Sequence, residues 1–187
     1  FYAYRPQDYA EVDDYEPYIT AIAGPSRYAT AVRASRVAYG SDTATSAVVC
    51  SGENWPDALG GSALAGALDA PVLLTRPDSL PDYVAAEIQR LGVSRIVVVG
   101  GALAVSEAVA TSLRGVPGVT SLERLGGIDR YETAALVASA TVSAQLEAGR
   151  DYDGGVYVAT GKTFPDALGA AAVAAHTGRP IVLARPS

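Results

Sequence analysis

Apolar residues along this chain fall in short runs, and between the runs they recur every three or four positions. The runs read as strands: "YITAIAG" (18–24), "AVVCS" (47–51), "PVLLT" (71–75), "RIVVVG" (95–100), "VTSLERL" (119–125), "GVYVAT" (155–160) and "PIVLA" (180–184). The intervening periodic stretches read as helices over 27–39, 55–68, 80–91, 106–114, 130–147 and 164–176. Strand and helix alternate, which predicts an α/β fold with a mostly parallel sheet flanked by helices. No apolar run approaches the roughly 20 residues that a membrane helix needs.

The helix starts share a pattern. Asn54-x-x-Asp57, Ser79-x-x-Asp82, Asp129-x-x-Glu132 and Thr163-x-x-Asp166 each place a short polar side chain three residues before an acid. The first oxygen can accept from a free backbone N–H, and the acid favours the positive end of the helix dipole. Pro56, Pro81 and Pro165 are expected in first turns, where a missing N–H costs nothing.

The pattern also repeats. Residues 51–78 align with 160–187 without a gap, and twelve of the 28 positions are identical, including "PDALG" at 56–60 and 165–169. "GPSRYATA" (24–31) matches "GIDRYETA" (127–134), but at an offset of 103 rather than 109. A six-residue insertion accounts for the difference, and the Gly- and Asp-rich "LEAGRDYDGG" is expected to hold it. The chain thus reads as one and a half tandem repeats: a first over 19–122 and an incomplete second over 123–187. Residues 1–18 lack periodicity, hold five of the eleven tyrosines, and read as an acidic leader or linker.

Charge sharpens this division. The net charge is −6, of which residues 1–18 carry −4 (five acids, one base), so the body is close to neutral. No basic run exists to neutralise a phosphate backbone, so nucleic acid is not expected as a partner. Cys50 is the one cysteine and lies in an apolar run, as a small buried hydrophobe would. His176 is the one histidine and falls late in a helix pattern. One Cys and one His cannot build the usual zinc site, and neither a metal nor a cofactor is expected.

Candidate chemistry gathers at the strand-to-helix junctions, where parallel sheets hold their ligands. Arg27, Arg76, Arg124, Arg130, Lys162 and Arg185, six of the fourteen bases, fall there. They read either as anion-binding edges assisted by free helix N–H groups or as structural ion pairs. Tyr28 and Tyr131 follow Arg27 and Arg130 in both copies, placed either to stack on a sugar ring or to pack on a neighbouring loop. "VVVGGALAVS" (97–106) lacks the nucleotide-binding glycine spacings, so Gly100 and Gly101 read as a tight turn. Asp57 and Asp166 occupy equivalent helix starts, which the capping pattern explains without catalysis. No catalytic residue is assigned.

"ERLGGIDRYETAALVA", "PVLLTRPDSLPDYVAAEIQRLGVSRIVVVGGALAVSEAVATSL" and "VYVATGKTFPDALGAAAVAAHTGRPIVLARPS" together resemble the cell wall binding repeat 2 family of Gram-positive surface and secreted proteins. The resemblance covers about 19–187. It implies a Toprim-like or flavodoxin-like α/β repeat, three copies of which pack around a pseudo-threefold axis. It also implies a non-catalytic anchor that binds an anionic wall polymer, teichoic-type or a secondary polysaccharide. Such modules often accompany a catalytic or adhesive domain, and an Ile-Leu-Leu-type strand is linked to polymer binding; "PVLLTRP" and "PIVLARP" occupy that place. The expected location is secreted, at the wall or cell surface. Two departures stand out: Ala21 replaces Arg124, and Ser26 replaces Asp129, in the first copy. One and a half copies also suggest self-association. The rival readings are a peptidoglycan hydrolase or amidase-associated domain, and a structural self-assembly module.

Overall fold

The computed structural model describes residues 21–162 and 165–185. The leader, Thr163 and the start of the first expected strand lie outside them. Twelve elements alternate: α1 (Arg27–Ala38), β1 (Ser46–Ser51), α2 (Trp55–Ala67), β2 (Val72–Thr75), α3 (Asp82–Leu91), β3 (Arg95–Val99), α4 (Glu107–Arg114), β4 (Ser121–Leu125), α5 (Arg130–Glu147), β5 (Tyr157–Thr160), α6 (Pro165–Thr177) and β6 (Ile181–Ala184). Residues 21–24 form no strand.

Four strands form a parallel sheet in the order β2-β1-β3-β4. β1 is buried along its whole length, which is why its sequence is a continuous apolar run. Its side chains alternate between two cores. Ala47 and Val49 join Ile96, Val98, Val84, Ile88 and Leu113 on the face covered by α1, α3 and α4. Val48 and Cys50 join Val97, Val99, Leu64 and Val137 beneath α2 and α5. Gly61 lets α2 approach: a Cβ there would lie 3.1 Å from Cys50 Sγ.

β5 and β6 form a second, two-stranded parallel sheet, with its own core of Ala159, Ala167, Ala171, Ala174, Ile181 and Ala63. Ala63 belongs to α2, so one helix serves both units. The α2–α6 seam is close because its residues are small. A Cβ on Gly66 would sit 2.1 Å from the Ala175 carbonyl oxygen, and Ser62 Oγ donates to the Ala171 carbonyl at 3.2 Å. Arg150 closes the end of α2 by donating to the Ala67 carbonyl at 2.8 Å, a cation at the negative end of a helix.

The six-residue insertion is not in the loop. α5 has 18 residues against 12 in α1, so the extra residues continue the helix. The added turns bury Thr141, Ala144 and Gln145, and that burial rewards helix over loop. A second tie was not read from sequence. The fully buried Glu87 accepts from Ser35 Oγ at 2.7 Å, Arg36 Nε at 3.0 Å and Arg90 Nη2 at 2.6 Å, joining α1 to α3. Burial pushes its carboxyl up, but the bonds from Arg90, Ser35 and Arg36 prevail and hold it below the ordinary glutamate value.

Candidate functional site

The carboxyl ends of β1, β3 and β4 open onto one edge. The chain runs from β1 outward to β2, then crosses to β3 on the other side of β1. The β1/β3 boundary is therefore the topological switch point, where open α/β sheets leave a crevice. A cleft of about 260 Å³ lies there, lined by Asn54 and Asp57 of the β1–α2 junction, Gly101–Ala104 after β3, and Gly127–Arg130 and Thr133 after β4.

Local chemistry shapes that cleft. Gly100 turns the chain at φ 118°, a conformation that favours glycine; a Cβ there would also meet Asp57 Oδ2 at 2.7 Å. The tight-turn expectation for this glycine is the observed one. Asp129 caps α5 as expected, accepting from the Tyr131 and Glu132 N–H groups at 2.9 Å. Glu132 reaches back to accept from the Ile128 N–H at 2.6 Å, one residue before the cap, a variant of the capping box. The other two described caps differ from the reading. Pro81, not Ser79, precedes α3, and Asn54 makes no side-chain cap bond to α2. Asn54 Nδ2 instead donates to Asp57 Oδ2 at 2.8 Å.

Asp57 is 95% buried, being 5% exposed. Burial raises its carboxyl to about 6 against the opposing pull of the Asn54 hydrogen bond and the Arg130 charge. Two large aliphatic side chains flank it from the opposite loops: Leu103 is 98% exposed and Ile128 is 95% exposed. Sequence reasoning did not single out Asn54, Leu103 or Ile128 as site residues. Lone exposed aliphatics in Gly-rich loops carry no periodic signal; only their spatial pairing marks them.

The eight residues expected at the site fall into two equivalent clusters and two outliers. In the first copy Arg27 Nη1 donates to the Gly52 carbonyl, the Tyr28 ring packs so close to Gly52 that a Cβ there would lie 2.5 Å from it, and the Arg76 guanidinium lies 5.6 Å from the ring centroid. In the second, Arg130 Nη1 donates to the Gly161 carbonyl at 2.8 Å. Tyr131 packs on Gly161 in the same way, and Arg185 lies 4.7 Å from its ring centroid. Tyr28 is buried and Tyr131 half-buried, each sandwiched between a glycine and a guanidinium. Of the outliers, Lys162 is exposed at the end of β5. Arg124 is half-buried and spans the β3–α4 turn, donating to the Gly100 and Val105 carbonyls at 3.0 and 2.8 Å and to Glu107 at 2.9 Å.

One difference between the copies changes the electrostatics. Arg185 pairs with Asp129, and Asp129 is held below the ordinary aspartate value by the Glu132 N–H, which outweighs its desolvation, together with Arg185 and the Tyr131 N–H. Ser26 stands in the Asp129 position of the first copy, where it caps α1 through the Ala29 N–H at 3.2 Å. Arg76 is consequently exposed and, among the described residues, has no carboxylate partner.

A family model described as "Cell wall binding domain 2 (CWB2)" matches residues 21–110 and 124–187. Two curated proteins of Bacillus subtilis (strain 168) are each 34% identical to the chain. The N-acetylmuramoyl-L-alanine amidase LytC aligns over 65% of the chain and 24% of its own length. The amidase enhancer aligns over 86% of the chain and 21% of its own length. The chain thus spans about a quarter or less of each of these relatives. Among solved structures, Cwp6 and Cwp8 from Clostridium difficile superpose with TM-scores of 0.79 and 0.78 at 31% identity. They cover 87% and 88% of the chain, which spans 24% and 27% of them.

Proposed function

The chain belongs to the CWB2 family of cell wall binding domains, and from that premise we propose that it anchors a larger protein on a Gram-positive wall by binding an anionic secondary polymer. The module holds and does not cut; catalysis belongs to whatever domain it accompanies. It acts outside the cell, at the wall.

The observation that carries this reading is the Arg76 guanidinium, which rests on the Tyr28 ring at a strand end and has no carboxylate partner among the described residues. The ring fixes the guanidinium without neutralising it, and a planar fork of N–H donors matches phosphate or carboxylate oxygens. The near-neutral body supplies little long-range attraction, so recognition is local. The Ser26-for-Asp129 exchange leaves the first copy with the more available cation. Arg185 shares its charge with Asp129.

Sedimentation of the chain with purified walls tests this. Arg76→Ala is expected to weaken binding by about threefold to tenfold, as loss of one charged contact does. Arg185→Ala should cost less. Unchanged binding by Arg76→Ala, with Arg185→Ala the more damaging, would overturn the assignment.

A further inference from the structure

Leu103 and Ile128 pose a question that the fold does not answer. At 98% and 95% exposure neither contributes to a core. Each belongs to a different loop, yet both line one cleft. A single exposed aliphatic is ordinary; two that converge on a concave site with a buried acid between them are not.

The floor of that cleft is equally specific. Asp57 is nine-tenths buried, and among the described residues its carboxylate accepts one hydrogen bond, from Asn54 to Oδ2, which leaves Oδ1 open to the cleft. Folding bears the cost of desolvating this carboxylate. The helix start beside it is also open. Ser26, Ser106 and Asp129 close α1, α4 and α5 with side-chain bonds, whereas α2, like α3, has none.

These features fit one ligand chemistry. A buried carboxylate on the floor disfavours an anion at that point, whereas a hydroxyl group can donate to it. Aliphatic walls suit the C–H face of a ring. The volume, about 260 Å³, is below the usual range for drug-sized ligands and suits one ring. Resting on the wall-polymer reading above, we infer that this cleft is a sugar subsite: it takes one neutral pyranose ring of the polymer between Leu103 and Ile128, with a ring hydroxyl donated to Asp57. Charge and sugar are then read at different places, the anionic group by the Arg76 guanidinium and the neutral ring by the switch-point cleft, where the Arg130 charge already bears on Asp57.

The test uses the whole chain, labelled for NMR, with free glucose, N-acetylglucosamine and N-acetylmannosamine as neutral probes and glycerol phosphate as the anionic one. At least one neutral sugar is expected to shift the amide signals of Gly101–Ala104 and Gly127–Ile128, with an affinity on the order of millimolar. Glycerol phosphate should leave those signals in place. The double variant Leu103→Ser/Ile128→Ser, altered only at exposed positions and so expected to keep its melting temperature, should bind wall polymer about tenfold more weakly, the loss of two apolar contacts. Asp57→Asn should weaken sugar binding while the charge contacts at Arg76 persist.

The cleft assignment falls if no neutral sugar moves those signals, or if the double variant binds polymer as tightly as the parent. It also falls if the double variant changes the sedimentation coefficient, because the two side chains then belong to a protein interface. Polymer binding that survives any of these results leaves the anchoring function standing. Equal binding to walls stripped of polymer removes the function itself, and the subsite with it.

Discussion

Asp57, the acid of the proposed sugar subsite, is held at the expense of the fold. Its carboxyl titrates near 6 in the native state against 3.8 as the ordinary value. The native state therefore holds the proton more tightly than the unfolded state does, and stability falls as pH rises from 3.8 through about 6. The full shift corresponds to roughly 3 kcal/mol at neutral pH. Glu87, Asp129 and Asp153 have the opposite sign. Their carboxyls are held below their ordinary values, so their support is lost only as pH falls below about 4.5. Between pH 5 and 7.5 the slope belongs to Asp57 among the shifted acids. Urea unfolding is expected to show a chain less stable at pH 7.5 than at pH 5, and Asp57→Asn should flatten that slope and raise stability at pH 7.5. A parent chain whose stability does not fall over that interval, or a variant that keeps the parent's slope, would contradict this account.

Among the elements, the α2–α6 seam is the most sensitive contact. Gly66→Ala would drive a methyl group into the Ala175 backbone, 2.1 Å from its oxygen, and no flexible side chain is available to move aside. Overpacking of this kind costs about 1–3 kcal/mol or more. Gly60 lies in the same helix with nothing within 4 Å of an added Cβ; Gly60→Ala should stabilise, by up to about 1 kcal/mol from helix propensity. Differential scanning calorimetry of the two variants is expected to move the melting temperature in opposite directions. A Gly66→Ala variant as stable as the parent would mean that the helices are not in the register described. Strand and helix periods made most of these elements legible in the sequence: the six helices and six of the seven strands appear within two residues of the positions read. What was not legible depended on tertiary reward. The "AGPSR" junction ends without a described strand, and the insertion became helix because Thr141, Ala144 and Gln145 found a buried surface. Ser79 lost the cap position because Pro81 ends the connection directly at α3. The junction arginines were legible as a class. Which of them are bound to carbonyls and which remain open to a ligand was not, because that depends on which loops meet in space.

For the whole molecule, the repeat is the organising fact. Two copies of the same junction chemistry are joined through one shared helix, and the exchange of Ser26 for Asp129 removes the carboxylate partner of the strand-end arginine from the first copy. Among the described residues no helix is long and apolar enough to cross a membrane, and the proposed binding surface is assembled at strand ends rather than by net charge. The proposed ligand of such a surface is the wall polymer and not the peptidoglycan mesh. The most direct measurement is sedimentation of the chain with purified Gram-positive walls before and after their secondary polymers are chemically removed. Binding that is strong on intact walls and lost on stripped walls is the predicted result; equal binding to both would contradict the account.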